Sequence, residues 1–203
     1  MGAPIDGPHM QFPLHVAFKR IALSPQIRVT DVRGTLTHYV KQKLFKLKES
    51  VTVFADEAQT RRLFEIRADR MLDFNAAYRI ADAAGKPIGV VRRHGMRSLW
   101  RAHYEIQAAD GLLLTVSEEN PWVKVLDGLL SDIPIIGLFA GYWLHPAYLV
   151  TDRGGTLLMR VQKVPALTES RYRIDEHAAL QGETRDAVLQ GLFMMLLLER
   201  TRG

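Results

Sequence analysis

Thr184-Arg-Asp-Ala-Val-Leu-Gln-Gly-Leu-Phe-Met-Met-Leu-Leu-Leu-Glu-Arg200 is the stretch whose reading decides the fold. From Ala187 to Leu198 only Gln190 is a clearly polar side chain. Ala, Leu, Met and Gln favour helix, and no proline interrupts them. Asp186 near the start and Arg200 and Arg202 near the end complement the helix macrodipole. Leu192 to Leu198 is an unbroken apolar run longer than one turn, so the predicted helix has no polar face. Such a helix must be enclosed by protein or lipid. Its apolar part is much shorter than the roughly 20 residues that span a bilayer, which favours enclosure by protein.

The rest of the chain supplies the enclosure. Tyr78-Arg-Ile80-Ala-Asp82-Ala-Ala-Gly85 is followed by Ile88, Val90 and Val91. Tyr104-Glu-Ile106 leads through Asp110-Gly111 to Leu112, Leu114 and Val116, and Tyr148-Leu-Val150-Thr-Asp152-Arg-Gly-Gly155 leads to Leu157, Met159 and Val161. Tyr172-Arg-Ile174-Asp175 closes the series. Each unit pairs two alternating strands around a turn of Asp and Gly, the residues a tight reversal needs. Phe12 to Ala22 and Gln26 to Val32 add two shorter extended segments. Repeated hairpins make a meandering antiparallel sheet. Ten to twelve such strands favour closure, because an open sheet of that size twists and exposes edges. A barrel that wide is not filled by its own side chains. A helix of 17 residues, about 26 Å long, matches its height. The predicted fold is therefore mainly β: a closed antiparallel barrel of about twelve strands around a hydrophobic C-terminal helix at 184–200.

The 203 residues suit one domain, placed at 11–203. Gly7-Pro8-His9-Met10 reads as a cloning remnant, so residues 1–10 are set outside the fold, and the Gly- and Pro-rich start carries no secretory signal. With no cysteine, the chain has no disulfide framework, no thiol chemistry and no thiolate metal site. That composition suits a cytoplasmic protein. A net charge of +5 permits an anionic partner without choosing one.

Tyr39-Val-Lys-Gln-Lys-Leu-Phe-Lys-Leu47, the repeated Tyr-x-(Ile/Val)-x-Asp-x-x-Gly turns and the closing apolar helix together resemble the LURP-one-related proteins. These share a fold with the tubby C-terminal domain and the phospholipid scramblases. The resemblance covers roughly Thr35 to Leu198 and implies a twelve-stranded barrel around a central helix. It also implies a lipid-linked role, since tubby domains bind phosphoinositides and scramblases are associated with lipid movement. The chain departs from scramblases in lacking a cysteine-rich palmitoylation segment and an acidic calcium loop.

One interval breaks the repeat. Tyr104 and Tyr148 are 44 residues apart where the other spacings are near 25, which places a hydrophobic insert at about 120–146. Asn120-Pro121 resembles a helix start, and Val123, Leu126, Leu129, Leu130 and Ile133 follow at helical spacing. Pro134, Gly137, Gly141 and Pro146 argue against one long spanning helix. Three readings stay open: a cap on one barrel end, a protein interface including a homodimer, or a segment that dips into a bilayer surface. Trp122, Phe139, Tyr142 and Trp143 are the candidate membrane or partner contacts.

Basic residues form two clusters, Lys41, Lys43, Lys46 and Lys48, and Arg92, Arg93, Arg97 and Arg101. Lys41, Lys43, Arg92, Arg93 and Arg97 are the candidate contacts for anionic lipid head groups. Nucleic acid is the less favoured partner, because aromatic residues are not interleaved with these cations. The chain carries no nucleophile elbow, no His-Glu-x-x-His and no glycine-rich phosphate or dinucleotide loop. Its seven histidines are scattered, and Glu118-Glu119 reads as a solvated pair, so no catalytic residue, metal ligand or cofactor is assigned. The reading leans away from an enzyme. It is a non-enzymatic module binding anionic phospholipid at a membrane surface, or alternatively a soluble scaffold using the insert as a protein interface.

Overall fold

The computed structural model describes residues 10–19, 26–41, 50–69, 77–93, 103–119, 147–166 and 169–200. Twelve strands follow in order: β1 (Leu14–Lys19), β2 (Gln26–Thr30), β3 (Leu36–Lys41), β4 (Ser50–Phe54), β5 (Arg62–Ala68) and β6 (Ala77–Asp82). Then come β7 (Pro87–Arg93), β8 (His103–Ala108), β9 (Leu113–Glu118), β10 (Ala147–Thr151), β11 (Leu157–Val164) and β12 (Ser170–Glu176). Each strand pairs with the next, and β1 pairs with β12, with Val16 opposite Tyr172. The result is a closed up-and-down barrel, as the hairpin repeats predict. Among the described residues there is one helix, α1 (Gly182–Arg200), which runs inside the barrel and begins two residues before the predicted start.

Alternation decides what faces inward. Val16 and Phe18, Ile27 and Val29, Val51 and Val53, and Val161 with Ile174 are all buried, and their neighbours in sequence turn outward. On α1, every residue from Ala187 to Leu197 is buried, on all sides of the helix. Met10, set with the excluded N-terminal segment in the sequence reading, instead packs on this core together with Phe12. Backbone pairing ties down the chain just after Met10, with Val32 N–H donating to the Gln11 carbonyl at 3.3 Å.

The turns explain the Asp-x-x-Gly repeat. In Asp31–Gly34, Asp82–Gly85 and Asp152–Gly155 the glycine N–H bonds back to the aspartate carbonyl at 2.9–3.1 Å. The glycine then takes a φ of 80–87°. This is a type I turn closed by a left-handed residue, and it leaves a bulge in the strand beside it. Register shifts at Val29/Thr30, Ile80/Ala81 and Val150/Thr151 are those bulges. Each aspartate carboxylate accepts from the backbone of its own turn, as Asp152 does from Thr156 at 2.8 Å. Such bonds hold Asp152 below the usual carboxylate range, chiefly through the N–H of Thr156. Asp56, in the glycine-free turn between β4 and β5, is lowered in the same way, chiefly by the N–H of Thr60.

The helix lies closest to β7 and β8 rather than on the barrel axis. Small residues permit the approach. A methyl group on Gly191 would stand 2.7 Å from Ile106 Cδ1 and 3.1 Å from Val91 Cγ2. One on Gly89 would stand 2.9 Å from the Gln107 carbonyl and 3.0 Å from Ala187 Cβ. The opposite wall is filled by larger side chains, among them Leu14, Phe18, Ile27 and Met159, all fully buried. Size complementarity across the barrel therefore sets the helix off centre.

Candidate functional site

Up-and-down topology divides the molecule into two unlike ends. Even-numbered strands run to the end where α1 begins, and there the chain reverses through short turns. Lys86 pairs with Glu183 at that end, and Thr184 Oγ1 donates to Asp110 Oδ2 at 2.5 Å, fastening the first turn of the helix to two hairpins. The second contact is the chief reason Asp110 stays ionised below its ordinary range. These carboxylates are occupied by turn and helix bonds. Among the described residues no cluster of His, Asp or Glu is arranged to hold a metal ion.

Odd-numbered strands run to the other end, where α1 finishes. Five of those six strands carry a cation in their last two positions: Lys19, Lys41, Arg67, Arg92 with Arg93, and Lys163. The ninth strand ends instead in Glu118. None of the even-numbered strands ends on a cation. Arg67 is paired with Glu65 at 2.9 Å, whereas Lys19, Lys41, Arg93 and Lys163 form no ion pair among the described residues.

Lys41 is exposed on the outer wall, next to the inward-facing Val40. Arg92 is also exposed on the outer wall and donates from Nη1 to Gln107 Oε1 at 2.9 Å. Four inter-strand steps separate β3 from β7, so Lys41 and Arg92 share an end but stand about 19 Å apart along the wall. Arg93, although adjacent to Arg92 in sequence, lies on the inner face with Val91, opposite Tyr104. Lys43, Arg97, Trp122, Phe139, Tyr142 and Trp143 lie outside the described residues, as does the insert at 120–146 with its three readings.

The inner rim at this end was not found from sequence. Tyr78, Tyr104, Tyr148 and Tyr172 all point inward around the last turn of α1, on the faces of Ile80, Ile106, Val150 and Ile174. Tyr104 donates its hydroxyl to Glu199 Oε1 at 2.5 Å. Glu118 stands opposite Tyr148, so it belongs to the mouth rather than to solvent. Its neighbour Glu119 is half-buried against Arg160 at 2.9 Å, which corrects the solvated pair of the sequence reading. Burial raises the Tyr148 hydroxyl well above its ordinary value, with Glu199, Tyr172 and Glu118 adding to the effect. Tyr172 is raised by burial as well. These phenols remain protonated and available as donors. The visible signal was the tyrosine spacing, which marked the hairpin period without revealing a common level in the barrel.

A second polar centre lies deep inside. His38 is 5% exposed, with Nδ1 3.1 Å from Thr37 Oγ1 and its ring edge-on to Phe193 at 5.3 Å. Burial, then the charge of Arg185, pushes its pKa down to about 4. Gln190 is fully buried on α1, and among the described residues neither its amide nitrogen nor its amide oxygen has a hydrogen-bond partner. An unmet buried polar group costs about 1–3 kcal/mol. Gln190→Met keeps the shape and removes both groups, so it is expected to stabilise the protein by about 1–3 kcal/mol in urea or guanidinium unfolding. An unchanged midpoint would mean that the amide is satisfied in solution.

Among the described residues no helix is long and apolar enough to cross a membrane. A family model described as LURP-one-related matches residues 36–175, from the first residue of β3 to near the end of β12. Helix α1, included in the sequence resemblance, falls outside the matched residues. No curated protein and no solved structure matches the chain.

Proposed function

This chain belongs to the LURP-one-related family, a tubby-like β-barrel family, and on that premise we propose that it is a non-enzymatic module that binds anionic phospholipid at a membrane surface. The observation that carries this reading is the gathering of strand-end cations at one end of the barrel. Lys19, Lys41 and Arg92 are exposed there, while the other end carries the aspartate turns. That polarity orients the molecule end-on toward a negative surface. Each Lys or Arg close to such a surface contributes about 1 kcal/mol, and salt screens the attraction over about 10 Å at 0.1 M.

Co-sedimentation with phosphatidylcholine vesicles containing phosphatidylserine is expected at low salt, with release as salt rises. Replacing Lys19, Lys41 and Arg92 together by Ala should weaken binding by about a hundredfold, from three contributions of about 1 kcal/mol. None of the three packs in the core, so the thermal midpoint should hold. Failure of the unmodified protein to sediment with these vesicles at low salt would overturn the proposal.

A further inference from the structure

The cations at the open end are not spread evenly around its rim. Lys19, the last residue of β1, stands opposite Gln26, and Gln26 stands opposite Lys41, the last residue of β3. The three form one cross-strand row on the outer wall. Two strand steps separate the lysines, about 10 Å. Both are exposed, and neither forms an ion pair among the described residues. β1, β2 and β3 themselves contain no acidic residue. A third cation adjoins the row from inside: Arg200, which ends α1, reaches the Lys19 carbonyl at 3.5 Å and lies 5.0 Å from the centre of the Phe18 ring. On the β12 side, Glu169 precedes Ser170, the partner of Phe18, and pairs with Arg171 at 3.6 Å.

The rest of the described rim is compensated. Arg67 on β5 pairs with Glu65, and Arg79 on β6 with Asp69, each at 2.9 Å. Arg92 on β7 stands opposite Glu105 on the outer wall and donates to Gln107. Farther round, β9 ends in Glu118, and Glu119 after it pairs with Arg160 of β11 at 2.9 Å. Arg93 and Lys163 face into the mouth, opposite Tyr104 and Tyr172. Charges about 10 Å apart act on the same patch of surface at 0.1 M salt, so Lys19 and Lys41 add to each other. Repulsion of Glu105 offsets the attraction of Arg92. A rigid barrel charged in this way gains most by turning the β1–β3 corner toward an anionic surface.

We propose that the protein meets an anionic lipid surface through the β1–β3 corner of the rim, tilted so that the β8–β10 side stands away from the bilayer. The inference rests on the lipid reading above and adds the face that makes contact. Gln26, half-exposed between the lysines, supplies an amide donor for head-group oxygens.

The chain has no cysteine, so one introduced cysteine takes a single environment-sensitive dye. Gln26→Cys marks the corner. Ser117→Cys, on the outer wall near the open end of β9, marks the opposite side. Both positions are half-exposed, so the thermal midpoint should hold in each variant. With phosphatidylcholine vesicles containing phosphatidylserine at low salt, the dye at 26 is expected to shift to the blue and to be shielded from a soluble quencher. The dye at 117 should behave as it does in solution. Equal responses, or a larger one at 117, would overturn the tilt and leave the lipid reading intact. Substitutions divide in the same way. Lys19→Ala with Lys41→Ala should weaken co-sedimentation about thirtyfold, about fivefold for each lysine, and Arg92→Ala by about threefold at most. Arg92→Ala as damaging as the lysine pair would also overturn the corner. No sedimentation of the unmodified protein would remove the lipid reading and the corner with it, so the two failures are told apart.

Discussion

Truncation after Glu183 is expected to abolish folding, not merely to lower stability. The deleted segment carries Val188, Leu189, Leu192, Phe193, Met194, Met195, Leu196 and Leu197, each at most 2% exposed. Burying side chains of this kind is worth roughly 1.5–3 kcal/mol each. Eight of them exceed the net stability of an ordinary domain, about 5–15 kcal/mol. The damage extends to the wall, since Val91, Ile106 and the other inward residues lose the surface they pack against. A twelve-stranded barrel has no alternative means of filling its interior. The truncated chain should therefore show no near-ultraviolet circular dichroism and no cooperative unfolding transition. A soluble truncated protein that melts cooperatively would refute the enclosed-helix architecture.

The second large effect is a loss of stability in mild acid, traced to His38. Its folded pKa of about 4 lies well below the ordinary 6.5, first because burial disfavours the charged ring and second because Arg185 is nearby. Above pH 6.5 both folded and unfolded chains hold the ring neutral, and His38 contributes nothing to pH dependence. Between pH 6.5 and about 4 the unfolded chain takes up a proton that the folded chain refuses, so stability falls as pH falls. The loss is complete below about pH 4 and amounts to about 3 kcal/mol. Asp56, Asp110 and Asp152 have depressed values, so their contributions disappear only below the ordinary carboxylate value of 3.8. Asp186 acts in the opposite sense, because burial raises it and its folded form takes up a proton first. His38→Phe isolates the histidine: urea unfolding should show the wild-type decline from pH 6.5 to 5 and a much flatter profile in the variant. Parallel profiles would remove His38 as the cause.

The two sites differ in how far the chain discloses them. Glu199 and Arg200 read as the polar end of a helix, which is true but incomplete. Their partners Phe18, Tyr104, Tyr148 and Tyr172 are brought to them only when the barrel closes. Arg92 and Arg93 read as one basic cluster, yet strand alternation sends them to opposite faces, one outward and one into the mouth. Period-two alternation was available in the sequence, but the position at which β7 ends was not. Gln190 was visible as the single polar side chain in an apolar run, and its unmet amide emerged only with its surroundings.

The sequence by itself determined the hairpins, the turns and the burial of the last helix. Alternation, Asp-x-x-Gly turns and an apolar surface on every side are local properties, decided by a few neighbouring residues. Tertiary structure alone decided which strand ends share a level, which cations lack a carboxylate and where the helix stands within the barrel. Those outcomes depend on register across the β1–β12 closure and on Gly89 and Gly191 fitting against the wall. Each joins residues far apart in the chain, as the contact between Arg200 and the Lys19 carbonyl does.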